Sequence, residues 1–329
     1  MNPRVCVVVP SFNNARFIER TIESILDQTF TDFELIVSDH SSTDGTWQRL
    51  QQYRDDPRVR LLQIPAGGGA PANWTAVTDQ ASGELLKLVC GDDLLYPNAL
   101  AEQVTAIEEH PEAVLVACQR DIVDQHDAPV VRSRGLQGLS GLTPGELAIR
   151  RTVSAGTNVF GEPVCILVRR SVLAESGGWD ARSPYLLDQA TFARVLRHGP
   201  MIALRRTLAA FRISDQQWSV ELARQQAAHA REFHRSIDRD HPGLLTRQDR
   251  WLGDIRATVM AVGRRAVYLW LRHRPAEGVV PPRAADRDTQ GPPDEHSADG
   301  MRPDEHGSDR WRQHRHAADR RVPLDRLSR

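Results

Sequence analysis

Short apolar runs alternate with amphipathic stretches along the first third of the chain. The first run, Val5 to Val9, is rich in β-branched residues, which is typical of a buried strand. Apolar residues then recur at helical spacing from Phe17 onward, and Phe33 to Val37 is a second strand-like run. Two strands joined by one helix form a right-handed parallel crossover. Polar residues follow both strands, so residues 10–14 and 39–44 should face each other across one crevice.

The alternation continues to about residue 118. Apolar runs predict further strands at Val59 to Ile64, Glu84 to Val89 and Ala113 to Cys118, with helical stretches between them. This order predicts an α/β domain with a mainly parallel sheet flanked by helices. Residues 132–160 are rich in Gly, Ser and Thr and show no clear periodicity.

The second half of the chain contains a segment with a helical pattern, followed by a segment of very different composition. Residues 221–274 have a helical pattern, which predicts a helical extension. The segment from residue 276 contains no Ile, Phe, Tyr, Lys or Cys, and it cannot bury enough apolar surface to offset its ordering entropy. We therefore divide the chain into a domain over residues 1–220, with halves at 1–118 and 119–220, a helical extension over 221–275, and a disordered tail over 276–329.

Composition excludes some classes of protein. The 42 basic and 43 acidic residues give no bulk charge that would favour nucleic acid as a partner. Four widely spaced cysteines indicate reduced, buried thiols rather than disulfides or a zinc site. No signal-peptide pattern or membrane-spanning run is visible, so we expect a cytoplasmic protein with a possible role at the inner face of a membrane.

Several motifs occur in a fixed order that is more specific than any one of them. They are Pro10-Ser11-Phe12-Asn13-Asn14, Asp39-x-x-Ser42-Thr43-Asp44-Gly45-Thr46, Asn73, Gly83-Glu84, Lys87, Asp92-Asp93, Gly177-Gly178-Trp179 and Asp188. In this order and spacing they resemble glycosyltransferase family 2, over about two thirds of the chain. The resemblance implies the GT-A fold and transfer of a sugar from a nucleotide donor with inversion.

The pair Asp92 and Asp93 is the candidate metal site. A nucleotide sugar releases a diphosphate whose charge grows as the glycosidic bond breaks, so a divalent cation or a fixed positive charge must stabilise it. Carboxylates at the end of a buried strand suit Mg²⁺ or Mn²⁺. The other interpretation is a pair of charges at a helix N-terminus. Cys90 departs from the family pattern, which usually has Asp there.

The resemblance also implies a nucleotide pocket. Asp39 matches the aspartate that contacts a uracil or thymine base, which favours a UDP- or dTDP-sugar. Pro10, Phe12 and Asn13 should line the pocket, with Asn73 beside them. His40 replaces a second aspartate that is often found there. Asp44 has two interpretations, a contact to the nucleotide or a turn and helix cap.

Two basic residues are further candidates for contacts near the diphosphate. Arg212 lies in a late motif that resembles the family's, and an arginine there can hold phosphate oxygens by two parallel hydrogen bonds. An ordinary surface arginine is the alternative. Lys87 is the only lysine of the chain; it either supports the carboxylates of the metal site or extends from a strand end without a function.

Asp188 is the candidate catalytic base. Inversion needs one carboxylate that removes the proton of the acceptor hydroxyl during attack. The alternative is a helix N-cap, since apolar residues follow Asp188 at helical spacing. The family usually has Glu-Asp here, and Leu187 replaces the Glu. Trp179 matches a turn that would line the acceptor pocket, although buried packing explains a tryptophan equally well.

These observations favour an inverting glycosyltransferase with a polysaccharide, lipid-linked or other glycan acceptor, in biosynthesis of cell-envelope polysaccharide. A catalytically inactive module that binds sugar nucleotides is the alternative, because Cys90, His40 and Leu187 depart from the family pattern. A nucleotidyltransferase would require a Gly-rich phosphate loop after the first strand, and residues 10–14 do not form one.

Overall fold

One ten-stranded sheet organises the described part of the chain, which comprises residues 2–182, 184–213 and 226–272 of a computed structural model. For residue 184 and residues 264–272 only the backbone is described. The chain divides into two units, Met1–Val279 and Val280–Arg329, and the described residues all belong to the first. The predicted disordered tail lies outside the described residues.

The sheet is mixed, with both parallel and antiparallel pairs of strands. Its strands are β1 (Val5–Ser11), β2 (Phe33–Asp39), β3 (Val59–Gln63), β4 (Leu85–Leu88), β5 (Leu94–Leu95), β6 (Leu115–Val123), β7 (Pro129–Arg134), β8 (Gly141–Thr143), β9 (Ile166–Arg169) and β10 (Met201–Arg212). In space the order is β3-β2-β1-β4-β9-β6-β10-β5, with β7 beside β6 and β8 beside β10. Strands β1 to β4 pair in parallel as predicted, and β6 is also parallel to β10. Strand β9, however, lies antiparallel between β4 and β6. A four-residue apolar run carries no signal of its direction, so the sequence did not predict this reversal.

The helices agree with the apolar spacing where that spacing is strong. They are α1 (Ile18–Leu26), α2 (Thr46–Leu50), α3 (Gly69–Thr78), α4 (Ala99–Glu109), α5 (Gly145–Ala155), α6 (Arg170–Glu175), α7 (Leu187–Val195), α8 (Gln226–Asp240) and α9 (Arg247–Arg272). Short 3₁₀ turns cover Gln51–Tyr53, Pro163–Cys165 and Pro184–Leu186. In α1 the buried residues Ile18, Ile22 and Ile25 lie on one face, as the sequence predicts.

Strand β1 lies at the centre of the core, and the candidate loop of residues 10–14 begins at its carboxyl end, at the edge of the sheet. Its residues are fully buried between β2 and β4. Pro10 is tolerated in this central strand because its nitrogen faces the β4 side, where the pairing has already ended at Val8 and Leu88. Three cysteines (Cys6, Cys118 and Cys165) are buried in the core, and Cys90 is half-buried.

The helical extension consists of two helices that pack on each other, and α9 also packs on α5. The contact is close: a Cβ at Gly253 would lie 2.4 Å from the Val153 carbonyl oxygen. The opposite face of α9 exposes four large apolar side chains, Trp251, Ile255, Val259 and Val262. Among the described residues, no helix is long and apolar enough to cross a membrane.

Candidate active site

The loops that follow β1 and β2 are joined by hydrogen bonds. The His40 N–H donates to the Ser11 carbonyl oxygen at 2.9 Å, and the Asn13 N–H donates to Ser42 Oγ at 2.9 Å. The Thr43 N–H donates back to Asn13 Oδ1, also at 2.9 Å. The two loops therefore face each other across one crevice, as the strand–helix–strand pattern predicts.

Asp44 completes this connection. One carboxylate oxygen accepts the Ala15 N–H at 2.9 Å, while the other accepts the Thr46 N–H at 3.0 Å and the Thr46 hydroxyl at 2.5 Å. Burial opposes ionisation, but these hydrogen bonds outweigh it and hold the pKa of Asp44 below its ordinary value. These bonds show the turn-forming role of Asp44. Its side chain also lines the cleft, so a ligand can contact it there.

An exposed aromatic ring and a histidine form one end of the cleft. Phe12 is 55% exposed, and its ring meets the His40 ring edge-on at a centroid distance of 6.0 Å. Pro10 and Asn13 line the same end. Asp39 is buried behind these residues: its Oδ2 accepts the Ser42 N–H at 3.2 Å, and its Oδ1 has no hydrogen-bond partner in the described structure.

Asn73 reaches the cleft from α3 and ties the two strands together. Its Nδ2 donates to the Ser11 carbonyl oxygen at 3.2 Å, and its Oδ1 accepts the Ser38 hydroxyl at 2.6 Å. Both hydrogen bonds are buried, and the side chain also lines the cleft. Its observed role is thus to fix the strand ends that form the pocket.

The two candidate metal ligands point in different directions. Asp92 lines the cleft, whereas Asp93 is fully buried and its Oδ1 accepts the Arg212 N–H at 3.1 Å. Burial and the neighbouring charge of Asp92 raise the pKa of Asp93 well above its ordinary value. Asp93 Oδ2 has no hydrogen-bond partner among the described residues, so Asp92 is the ligand that is open to the cleft, and a second ligand at Asp93 stays a prediction.

A metal ion at this position would depend on the ligand for most of its coordination. The described residues contain no group of three or more His, Cys, Asp or Glu side chains that could hold a metal. Mg²⁺ and Mn²⁺ in nucleotide sites use one or two carboxylates, with phosphate oxygens and waters as the other ligands. One carboxylate at a strand end, open to a large cleft, fits that requirement. Cys90 lines the cleft too, and burial raises its pKa well above the ordinary thiol value, so it remains a neutral thiol.

Arg212 holds the turn that contains the two aspartates rather than lining the cleft. The side chain is fully buried, and its Nε donates to the Asp92 carbonyl oxygen at 2.8 Å. Its guanidinium also pairs with Asp127 and lies 4.5 Å from the centre of the Phe17 ring. The prediction of a phosphate-binding arginine is corrected: Arg212 is a positioning residue. The remaining part of its motif, residues 214–219, lies outside the described residues.

Lys87 is likewise corrected. The side chain is fully buried in β4, and its ammonium donates to Gln103 Oε1 at 2.8 Å and to the Val164 carbonyl oxygen at 2.7 Å. It does not line the cleft, and burial lowers its pKa to about 8. Alternate residues of a strand point to opposite faces, and the sequence alone did not show that Lys87 faces the segment before β9.

Asp188 lies in the first turn of α7 and lines the cleft. Its Oδ1 accepts the Gln189 N–H at 2.7 Å, and its Oδ2 accepts Asn158 Nδ2 at 3.0 Å. Burial and the charge of Glu162 raise the pKa of Asp188 to about 7, against the effect of these hydrogen bonds. A carboxylate of this kind is suited to general-base catalysis near neutral pH.

Trp179 does not reach the cleft, which corrects its assignment to an acceptor pocket. Its ring is 8% exposed, its Nε1 donates to Thr78 Oγ1 at 2.9 Å, and it packs edge-on against Trp74 at 5.0 Å. Trp74 is the residue that lines the cleft. The sequence feature that could have identified Trp74 as a residue of the cleft is its position next to Asn73.

An ion pair in the cleft was missed by the sequence analysis. The Arg120 side chain is 2% exposed; its Nη2 donates a hydrogen bond to Glu162 Oε1 at 2.8 Å, and its Nε makes an ion-pair contact with Oε2 at 2.6 Å. Both residues line the cleft. Arg120 lies within an apolar strand pattern and Glu162 lies in the segment without periodicity, so neither position was distinctive.

The residues described above as lining the cleft all face one cavity of about 1200 Å³. It extends from the loops after β1 and β2, past Asp92 and Asp188, to the helical extension, where His234 and Met260 line it. His234 is held by Asp254 at 2.8 Å, and burial lowers its pKa. The extension thus forms part of the wall of the cleft.

The fold and this cleft define the class: an α/β domain of the GT-A type, with a ligand site beyond the carboxyl ends of its parallel strands. A family model described as "Glycosyl transferase family 2" matches residues 6–177, which is more than half of the chain. The chain belongs to glycosyl transferase family 2.

Relatives are similar over part of their length. The poly(ribitol-phosphate) β-N-acetylglucosaminyltransferase TarS of Staphylococcus aureus is 33% identical over 113 residues, which cover 33% of this chain and 20% of TarS. A Campylobacter jejuni protein named GalNAc(5)-diNAcBac-PP-undecaprenol β-1,3-glucosyltransferase is 39% identical over 101 residues, 30% of this chain and 33% of that protein. The chain therefore spans less than two thirds of the length of these relatives.

Solved structures share the fold. TarS residues 1–349 in complex with UDP-GlcNAc superpose with a TM-score of 0.58 at 19% identity, over 72% of this chain and 67% of that one. The mannosyltransferase PcManGT from Pyrobaculum calidifontis, in complex with GDP-Man and Mn²⁺, gives a TM-score of 0.59 at 19% identity, over 85% and 77% of the two chains. At these identities the likeness concerns the fold.

Proposed function

We propose that the protein is an inverting glycosyltransferase, which moves a sugar from a nucleotide diphosphate to a hydroxyl of a glycan or lipid-linked acceptor. One observation carries the proposal: the joined loops after β1 and β2, Asp92 and Asp188 all line the same cleft. The cleft thus combines a place for a nucleotide, a carboxylate for a cation and a second carboxylate for proton transfer.

The nucleotide base lies between the loops after β1 and β2. The exposed ring of Phe12 offers a stacking surface, and His40 closes the other side. The unpartnered Oδ1 of Asp39 is an acceptor for the imide N–H of uracil or thymine, once the side chains that cover it move aside. This chemistry favours a UDP- or dTDP-sugar as donor.

Asp92 would hold Mg²⁺ or Mn²⁺ together with oxygens of the diphosphate. When bound, the cation supplies positive charge against the charge that grows on the leaving diphosphate. Arg212 fixes the Asp92 main chain, so the carboxylate is held at a constant position at the strand end. The Mn²⁺ in the complex of PcManGT supports this choice of cation.

Asp188 acts as the general base. It accepts the proton of the acceptor hydroxyl as that oxygen attacks the anomeric carbon, on the side opposite the diphosphate. Its pKa of about 7 leaves a substantial ionised fraction at neutral pH and makes the carboxylate more basic than an exposed one. The hydrogen bond from Asn158 orients the carboxylate.

The names of the relatives support a glycan acceptor and a role in cell-envelope polysaccharide synthesis. TarS is named for transfer to poly(ribitol-phosphate), and the Campylobacter relative for transfer to a glycan on undecaprenyl diphosphate. A carrier lipid would bring the acceptor to a membrane surface, where a protein with a suitable apolar surface can meet it.

We further propose that the exposed face of α9 binds an anionic bilayer surface. Its apolar stripe contains Trp251, which is 64% exposed, and the helix sequence has six Arg and two Asp. Binding to phosphatidylglycerol vesicles, measured by flotation, should fall in a Trp251→Ser, Val259→Ser variant. Wild-type protein that does not float with these vesicles, or that dimerises through this face instead, would contradict the proposal.

The transfer reaction is tested with UDP-, dTDP- and GDP-sugars, Mn²⁺ and candidate glycan acceptors. We expect Asp188→Asn to abolish transfer and retain nucleotide binding, and Asp92→Asn to lose the Mn²⁺-dependent part of binding. Asp56→Asn is the matched control, since Asp56 pairs with Arg58 outside the cleft. If the wild type binds nucleotide with Mn²⁺ but transfers and hydrolyses none of the donors, the chain is a binding module. If binding survives Asp92→Asn in full, the metal assignment is wrong.

A further inference from the structure

The position of the transferred sugar follows from the geometry of inversion. The attacking oxygen, the anomeric carbon and the leaving oxygen lie roughly in line in such a displacement, so the base and the diphosphate are on opposite sides of the sugar. If Asp92 marks the diphosphate and Asp188 the base, as the proposed function requires, the sugar lies between them. The side chains that line this part of the cleft must then contact its hydroxyls.

Glu162 occupies this part of the cleft. Glu162, Cys90, Asp92 and Asp188 all line the cleft. Glu162 also follows the turn held by Asn158, whose Nδ2 binds Asp188. Its negative charge raises the pKa of both Asp188 and Cys90. The roles described above do not use Glu162.

The Arg120 pair holds Glu162 in a fixed orientation. One hydrogen bond of 2.8 Å, from Arg120 Nη2 to Glu162 Oε1, and an ion-pair contact of 2.6 Å between Nε and Oε2 join the carboxylate to a guanidinium that is buried in β6. Glu162 Oε2 is itself buried and has no hydrogen-bond partner among the described residues, so the carboxylate keeps acceptor capacity that the protein does not fill. The side chain of Glu162 is 22% exposed and lines the cleft, where a ligand can reach it.

The local backbone is also built to place Glu162 beside Asp188. Asn158 Oδ1 accepts the N–H groups of Phe160 and Gly161, and its Nδ2 donates to Asp188 Oδ2. Gly161 has a φ of +102°, and a Cβ there would lie 2.6 Å from Cys165 Sγ. One turn therefore fixes both carboxylates relative to each other, and only glycine fits at its tightest point.

We propose that Glu162, held by Arg120, binds a hydroxyl of the donor sugar and so selects the sugar that is transferred. The inference rests on the proposed function and adds to it a specificity-determining residue. A hydroxyl that donates to a buried, ion-paired carboxylate makes a charge-assisted hydrogen bond. A sugar that lacks this hydroxyl would leave the carboxylate without its partner and would be rejected.

The test compares binding of UDP with binding of UDP-glucose, UDP-galactose and UDP-N-acetylglucosamine, in the presence of Mn²⁺, by calorimetry. In Glu162→Gln we expect at least about tenfold weaker binding of the preferred UDP-sugar, because a hydrogen bond to a charged group is lost. Affinity for UDP should stay within about twofold, since UDP has no sugar at this position. Glu146→Gln is the control, because Glu146 pairs with Arg197 at the surface outside the cleft.

A second measurement avoids dependence on one variant. Monodeoxy analogues of the preferred UDP-sugar should bind more weakly than the parent sugar to the wild type. The analogue that lacks the hydroxyl bound by Glu162 should bind Glu162→Gln with the same affinity as it binds the wild type. If Glu162→Gln weakens UDP and UDP-sugar equally, its role is structural and the inference is wrong. If it weakens neither, the inference is also wrong, while the proposed function stands. A wild type that binds no nucleotide would instead contradict the proposed function.

Discussion

Asp188 should lower the stability of the fold at a pH where its carboxylate is ionised. Burial raises its pKa from 3.8 to about 7, so the folded state holds a proton on Asp188 that the unfolded state releases. Its contribution to stability is complete below pH 4 and is lost as the pH rises towards 7. Each pH unit between the two pKa values corresponds to about 1.4 kcal/mol, so the cost of ionisation is at most about 4 kcal/mol.

Asp188→Asn removes this cost and loses part of the hydrogen bonding. The amide oxygen can still accept the Gln189 N–H, but the amide nitrogen would face Asn158 Nδ2. Asn158 cannot rotate to compensate, because its Oδ1 already accepts the N–H groups of Phe160 and Gly161. A lost hydrogen bond costs about 1 kcal/mol. We therefore expect a net stabilisation of about 3 kcal/mol at pH 8, and a net destabilisation of about 1 kcal/mol at pH 4, where Asp188 is already protonated.

The assay is urea unfolding of the wild type and the variant between pH 4 and pH 8, with the transfer reaction measured in parallel. The difference in unfolding free energy should grow across this range while the variant is inactive. Asp44→Asn is a control of opposite sign: hydrogen bonds lower the pKa of Asp44, so that variant should be less stable than the wild type at pH 8. A difference for Asp188→Asn that is independent of pH would refute the reasoning.

Three further outcomes are expected. Phe12→Ala should weaken nucleotide binding by about 1 kcal/mol or more and leave thermal stability unchanged, because the ring is exposed and offers a stacking surface; calorimetry and a melting curve measure the two effects. Arg212→Met should destabilise the fold by about 2 kcal/mol in urea unfolding and weaken Mn²⁺-dependent binding, since it removes hydrogen bonds of a charged group and releases the Asp92 main chain, while Asp127 keeps its ion pair with Arg20; undiminished Mn²⁺ dependence would argue against the positioning role. Gly161→Ala should lower the melting temperature and the affinity for UDP-sugar together, because a Cβ at this φ would clash with Cys165.

The sequence predicts the parallel half of the fold well, for a physical reason. Strands β1 and β2 are continuous apolar runs separated by one clearly amphipathic helix, so spacing alone determines their order and direction. Strand β9 has four residues and no such context, and its antiparallel insertion depends on tertiary packing. Helix α5 likewise lies within residues 132–160, where the Gly-rich pattern is too weak to predict an element.

In the candidate site, the sequence likewise predicts some features and not others. Loops that follow strands directly, such as residues 10–14 and 39–44, can be placed from the sequence because strand ends meet at one edge. Whether a side chain points into the cleft or into the core cannot be predicted in this way. Asp93 directly follows the cleft residue Asp92, and Lys87 lies in the strand that leads to it, yet both side chains point into the core. Glu162 reaches the cleft only because a turn held by Asn158 brings it there.

The hydrogen bonds between the two strand-end loops have a consequence for how a nucleotide binds. Because Asn13, Asp44 and their neighbours are already bonded across the crevice, the pocket has its shape before any ligand arrives. Ordering a loop on binding costs conformational entropy, and a preformed pocket avoids that loss. The backbones of the two loops should therefore keep their positions when a nucleotide binds, and only the side chains that cover Asp39 need to move. Any slow closing motion of the enzyme would then belong to the acceptor side of the cleft.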